Sequence, residues 1–277
     1  MTDRRSPSLS IAEIGACLER SGYLLESKVV RLLDSSGYFV EPNQVIRDKL
    51  TGKSREIDFV AEYYEYTPEF KNIHVMTHFV GEIVNNLYPF VLLTERPRSP
   101  NADTESYIKW VTTPENMFYQ EPIDFYQGRD PESEHLFSQY CVLTRKNNQT
   151  RDWMAHHPDD IYHSLLKMAE YIELQMLDLQ ERVTEFGDKH KRALFWHPLL
   201  VLGGELYVAK ASKDGSLSIQ PTSNEFLEFN WHHGDERRTT VIEVLTVDVL
   251  LERMDRFVLL DRSLKQQIHQ AYADIAP

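Results

Sequence analysis

At 277 residues, 42% of them hydrophobic, the chain is long enough to bury a substantial core in one large domain or two small ones. Its formal net charge of −13 excludes a nucleic-acid partner held by bulk attraction to a basic surface. No apolar run approaches bilayer-spanning length, the stretch Met1-Thr2-Asp3-Arg4-Arg5-Ser6-Pro7 lacks the apolar segment of a signal peptide, and Cys17 and Cys141 stand alone and far apart. The expectation is a cytoplasmic protein with no membrane partner and no disulfide framework.

The charge is uneven. Residues 1–60 carry nine basic and nine acidic side chains, so the whole deficit lies beyond them. Arg47, Lys49, Lys53 and Arg55 cluster just before Asp58. Such a rim beside an acidic pocket can meet phosphates, and it reads equally well as the solvated tip of a hairpin.

Ser10 opens a helical pattern over Ile11–Leu18, with Glu13 at capping-box distance. Ser21-Gly22 interrupts it, and a second helix follows from Tyr23 to about Ser35, ended by Gly37. Leu25, Val29, Leu32 and Leu33 form its apolar face, and Glu26 lies at that face's edge. Strands are predicted over Tyr38–Arg47, Glu56–Tyr64 and Ile73–Val84, with a short segment at Phe90–Thr94. From Glu95 to Arg151 periodicity is poor, prolines recur and aromatics are frequent, which predicts an irregular insertion with short helices. A long helix then runs from Ile161 to about Phe186 with Leu165, Met168, Ile172 and Met176 on one face. Gly203-Gly204 between two apolar runs signals a hairpin, Thr239–Val247 reads as a strand, Trp231–Asp235 as an exposed turn, and two helices close the chain at Val249–Phe257 and Ser263–Ala273. The layout is α/β, a mixed central sheet flanked by helices, in a single elaborated domain divided as 1–94, 95–151 and 152–277.

Two carboxylates stand inside apolar strands: Asp58 in Glu56-Ile57-Asp58-Phe59-Val60 and Glu82 in Val80-Gly81-Glu82-Ile83-Val84. An ionised carboxylate there is costly unless it is paired, hydrogen-bonded or bound to a metal. If the strands pair, Asp58 and Glu82 converge on a divalent cation, for which oxygen donors suit Mg²⁺. His156, His157 and His163 and the Trp231–Asp235 stretch read as surface features, and no phosphate-binding glycine loop is present.

The order of a Glu-bearing helix, a hairpin, an Asp on the second strand and a Glu on the third resembles the restriction-endonuclease-like superfamily, the PD-(D/E)xK nucleases, most nearly the Mrr-like branch. The matching residues are Glu26 in Leu24–Leu33, Gly37-Tyr38-Phe39-Val40, Arg55-Glu56-Ile57-Asp58, Gly81-Glu82-Ile83-Val84-Asn85-Asn86, and the following Pro89-Phe90. The match covers about the first third of the chain and implies a restriction-endonuclease-like core with an irregular insertion and a C-terminal strand and helix elaboration. It implies that Asp58, Glu82 and Glu26 bind Mg²⁺ (or Mn²⁺) and hydrolyse a DNA phosphodiester, in restriction, repair or antiphage defence. Arg47, Lys49, Lys53 and Arg55 are the candidate nucleic-acid contacts, and a second copy or a protein partner stays open.

One departure stands out. The position of the family's lysine on the third strand holds Val84. A valine neither positions water nor stabilises developing charge, and such losses cost orders of magnitude in rate. Lys28 and Arg55 face away from the carboxylates, while Lys71, the Lys49–Lys53 loop and Asn86 give no convincing replacement. Two readings follow: a slow or partner-activated nuclease, or an inactive pseudo-nuclease kept for nucleic-acid binding or protein assembly.

Overall fold

A computed structural model of the chain describes residues 9–47, 52, 54–65, 73–97, 108–111, 135–145, 152–186, 191–212 and 214–273. Lys49, Lys53, Lys71 and most of the predicted insertion lie outside them.

The first third follows the sequence closely. Ser10 caps α1 (Ile11–Ser21): its hydroxyl accepts from the Glu13 backbone N–H, and the Glu13 carboxylate accepts from the Ser10 N–H at 2.8 Å. Gly22, with φ of 91°, takes the left-handed conformation that ends α1 and lets α2 (Tyr23–Ser35) start at once. The strands β1 (Phe39–Arg47), β2 (Ser54–Tyr64) and β3 (Ile73–Val84) form an antiparallel meander.

β4 (Phe90–Pro97), β5 (Ile108–Val111), β6 (His135–Arg145) and β7 (Trp153–His156) come next. The expected irregular insertion with short helices is corrected only where it is described, at residues 95–97, 108–111 and 135–145, which are strands of the sheet. Leu136, Phe137 and Tyr140 of β6 are all buried. A strand covered on both faces shows no alternation, so its sequence did not announce it.

The helix α3 (Asp159–Phe186) leads back to β8 (Lys191–Leu202), which lies parallel to β3 from Ile73↔Lys191 to Val84↔Leu202. β9 (Leu206–Ala211), β10 (Leu217–Thr222), β11 (Asn224–His233) and β12 (Glu236–Thr246) complete a twelve-stranded mixed sheet. Its order is β1-β2-β3-β8-β12-β11-β6-β4-β9-β10, with β5 beside β8 and β7 beside β6.

Three further expectations are corrected. β8 and β9 are not a hairpin: β9 pairs with β4 and β10. The Gly203-Gly204 pair instead lets the chain pass close over Asn86, whose Oδ1 accepts from the Gly204 N–H at 2.8 Å; a Cβ on Gly204 would overlap the Asn86 carbonyl oxygen. Trp231 is no exposed turn residue but a buried member of β11, its indole N–H donating to Thr240. The closing pair of helices is one helix, α4 (Leu250–Ala273), entered through a 3₁₀ turn at Val247–Val249. The interval between the two predicted helices is continuous helix, and Asp261 within it is fully buried and accepts from Thr77 at 2.8 Å with His197 at 2.9 Å.

Side-chain alternation on the central strands divides the core between two faces. Val80, Leu194, Trp196, Leu200 and Leu202 pack with Leu165, Met168 and Ile172 of α3. Phe79, Ile83, Leu199 and Val201 pack with Val29 and Leu33 of α2 and with Leu250, Met254 and Phe257 of α4. Helices therefore cover both faces of the sheet. Among the described residues no helix is long and apolar enough to cross a membrane.

Candidate active site

Glu82 shares a strand face with Val80, so it points towards α3. It is 2% exposed. Lys167 of α3 meets it there, Nζ to Oε2 at 2.6 Å, and the same ammonium donates to the Glu56 carbonyl at 2.9 Å. A lysine thus reaches the buried Glu82 carboxylate from the crossing helix. Sequence reasoning overlooked it because the search stayed near Asp58 and Glu82. A signal was present nonetheless: Lys167 interrupts a run in which Leu165, Leu166, Met168 and Ala169 are all buried. A lysine held within so wide an apolar arc calls for a partner.

Asp58 stands one strand away, at a local irregularity. The β1–β2 register passes from Pro42↔Phe59 to Gln44↔Ile57 without pairing Asn43 to Asp58, and the β2–β3 register stops at Phe59↔Gly81. Asn43 adopts a left-handed φ of 54° there. Beyond the end of the ladder, Asp58 Oδ2 accepts the Ile83 N–H at 2.7 Å, so the carboxylate itself bridges the strands. Gly81, just before, carries the Phe59 ring directly over its Cα, a position that excludes a side chain.

Glu26 and Asp58 line one cleft, 570 Å³ in volume, between α2 and β1. All three carboxyls are held above their ordinary range. Burial is the largest cause for each. Repulsion from Asp58 adds to the rise at Glu26 and at Glu82, which is pushed up to about 7. Glu56 raises Glu26 and Asp58 further. Lys167 pulls all three down, and the Ser164 hydroxyl, one turn before it, also favours charged Glu82. The negative charges outnumber this cation, which is the electrostatic condition for attracting another.

The fit to a divalent metal is partial. The donors are hard oxygens of the kind Mg²⁺ takes, and Glu82 Oε1 is buried without a well-formed hydrogen bond. Among the described residues, however, no three acidic, histidine or cysteine side chains are gathered at ligand spacing. Binding by all three carboxylates would require Glu26, Asp58 and Glu82 to draw together.

The neighbouring asparagines are structural. Asn85 donates to the Glu19 carbonyl at the end of α1 at 2.8 Å, and Asn86 holds Gly204 and the Tyr88 carbonyl, so Asn86 does not serve the site as a stand-in donor. Arg47 is exposed and Arg55 half-buried at the turn end of the β1–β2 hairpin, three and more residues from Asp58 along the strands. His156 ends β7 and His157 packs on Tyr140, ring centroids 4.1 Å apart. No family model, no curated protein and no solved structure matches this chain.

Proposed function

We propose that this protein is a metal-dependent nuclease of the restriction-endonuclease-like type, hydrolysing DNA phosphodiester bonds in restriction, repair or antiphage defence. The observation that carries the reading is the 2.6 Å contact of Lys167 with Glu82, beside Asp58 and Glu26. It supports a complete set of acidic and basic groups where the sequence alone lacked its cation. The succession α2-β1-β2-β3, then α3 and a β8 parallel to β3, supports the same reading at the level of the core.

Asp58, Glu82 and Glu26 would hold Mg²⁺ or Mn²⁺, which when bound polarises a phosphoryl oxygen and acidifies water. The chain's own groups do the rest. Lys167 fixes the Glu82 carboxylate and offers its remaining N–H to a phosphate oxygen, stabilising charge as it develops. Asp58, anchored by the Ile83 N–H, keeps its orientation while the phosphate enters. Glu26, half-buried at the cleft wall with a raised pKa, is placed to take a proton from water.

The test is cleavage of plasmid and oligonucleotide DNA with Mg²⁺ or Mn²⁺. Wild type cuts, chelator stops it, and Asp58→Ala abolishes it. Cutting that survives Asp58→Ala removes the proposed site. A second reading, an inactive module for nucleic-acid binding or protein assembly, draws on the ion pair that already occupies Glu82. Wild-type protein that binds DNA and never cuts it would favour that reading.

A further inference from the structure

The cleft beside Glu26 and Asp58 has a long polar wall. Tyr23, Glu26, Ser27, Val30, Arg31 and Asp34 line it from α2. Their spacing of three and four residues is one continuous helical stripe, on the order of 16 Å long. A helix stripe that faces a sheet is ordinarily apolar and closed. This one holds an aromatic ring, a guanidinium, a hydroxyl and the carboxylates of Glu26 and Asp34, and it stays open. Tyr23 is 65% exposed at the mouth, and Arg31 is exposed two turns further along. On the opposite wall Asn43 leaves the β1–β2 ladder in its left-handed conformation, next to Asp58.

We propose that this groove holds the unpaired end of a nucleic-acid strand, so that the substrate is single-stranded or frayed rather than intact duplex. The inference rests on the nuclease reading above and adds the substrate class to it. Tyr23 supplies a π-face for a base, Arg31 a phosphate contact, and Asn43 an amide for a base edge. The volume of 570 Å³ falls within the range of about 300–1,000 Å³ typical of small-molecule pockets, a scale that suits one or two nucleotides and not a double helix. Stacking on an aromatic ring tolerates any base, so binding here is indifferent to sequence. The acidic remainder of the molecule disfavours the broad phosphate contacts that a duplex needs.

The experiment is fluorescence anisotropy of a short fluorescein-labelled single-stranded oligonucleotide and of the corresponding blunt duplex. Full-length protein is used, with Ca²⁺ in place of Mg²⁺. The expected result is tighter binding of the single strand, a loss of about 10-fold or more in Tyr23→Ala, and retention in Tyr23→Phe, which keeps the ring. Arg31→Ala weakens binding while Arg31→Lys largely retains it. Duplex binding as tight as single-strand binding, or a Tyr23→Ala protein indistinguishable from wild type, overturns the proposal. Cleavage in Mg²⁺ is scored separately. Ring-dependent strand binding without any cleavage supports the groove and sinks the nuclease reading, whereas cleavage unaffected by Tyr23→Ala overturns the groove alone.

Discussion

A helix-borne lysine serves a strand carboxylate only if the helix crosses at the right height, and α3 does so because Leu165, Met168 and Ile172 lock it on the sheet. Removing the ammonium leaves Glu82 buried beside Asp58 without its cation. Lys167→Ala is expected to lower DNA cleavage by about 100-fold or more, read as initial rates of plasmid nicking. Val84→Lys restores nothing, because Val84 packs against the apolar core on the α3 side and Lys167 already holds the carboxylate. A rate gain in Val84→Lys would show that Lys167 is not the functional cation. The site was half legible in the sequence. Asp58 and Glu82 betray themselves as charges within apolar strands, but Lys167 sits beyond the insertion, and only the docking of α3 relates the two.

Glu82 also sets a pH dependence. Its pKa in the folded protein, about 7, lies above the ordinary carboxylate value of 4.5, so between these the native state binds more protons than the unfolded one. Stability from this group is therefore full below about 4.5 and declines as pH rises to about 7 and beyond, by on the order of 3 kcal/mol at most. Denaturant titrations of metal-free wild type and Glu82→Gln should diverge in slope only within that window. Divalent cations need the ionised form, so the thermal shift given by Mn²⁺ should grow as pH rises through 7. A Mn²⁺ shift independent of pH would mean that Glu82 is not a ligand.

Among the elements, the close crossing of the β3–β4 and β8–β9 connections leaves no room for a side chain. Gly203 donates to the Val84 carbonyl at 2.8 Å, and Gly204 donates to the Asn86 side chain. Asn86→Ala strands the Gly204 N–H and should cost about 1–3 kcal/mol in chemical denaturation. Gly204→Ala forces the backbone apart and should cost at least as much; a neutral result would show that this crossing is slack. The elements of the first third were readable because local signals agree: the Ser10 cap, Gly22 and Gly37 at positive φ, and strands with turns between them. β6 and β10 lacked such signals, whereas β11 alternates from Leu227 to His232 and went unread. Leu136 and Phe137, adjacent on β6, are both buried, and β10 shows five exposed residues of six, so burial alternates along neither.

Over the whole molecule, the sheet holds partners that local reading does not connect. β3 finds β8 only after the insertion and α3 have been traversed, and β4 lies between β6 and β9, far from its neighbour in sequence. Fold class follows from composition and element types, whereas strand order depends on these long-range pairings. The charge of −13 bears on function at the same scale. If the groove on α2 engages one or two phosphates, single-strand affinity should fall only about fourfold between roughly 50 and 200 mM salt, as a binding series at graded ionic strength would reveal. A steep decline would mean that a wider basic surface is involved.

The pairing of Ile73 with Lys191 carries a kinetic consequence. Chain closure over such a distance is slow, so the local β1–β3 meander is expected to form before α3 docks. During that stage Asp58 can already hold the Ile83 N–H, whereas Glu82 still lacks its counter-ion from α3. Neutralisation of the buried carboxylate and completion of the fold are thus a single event.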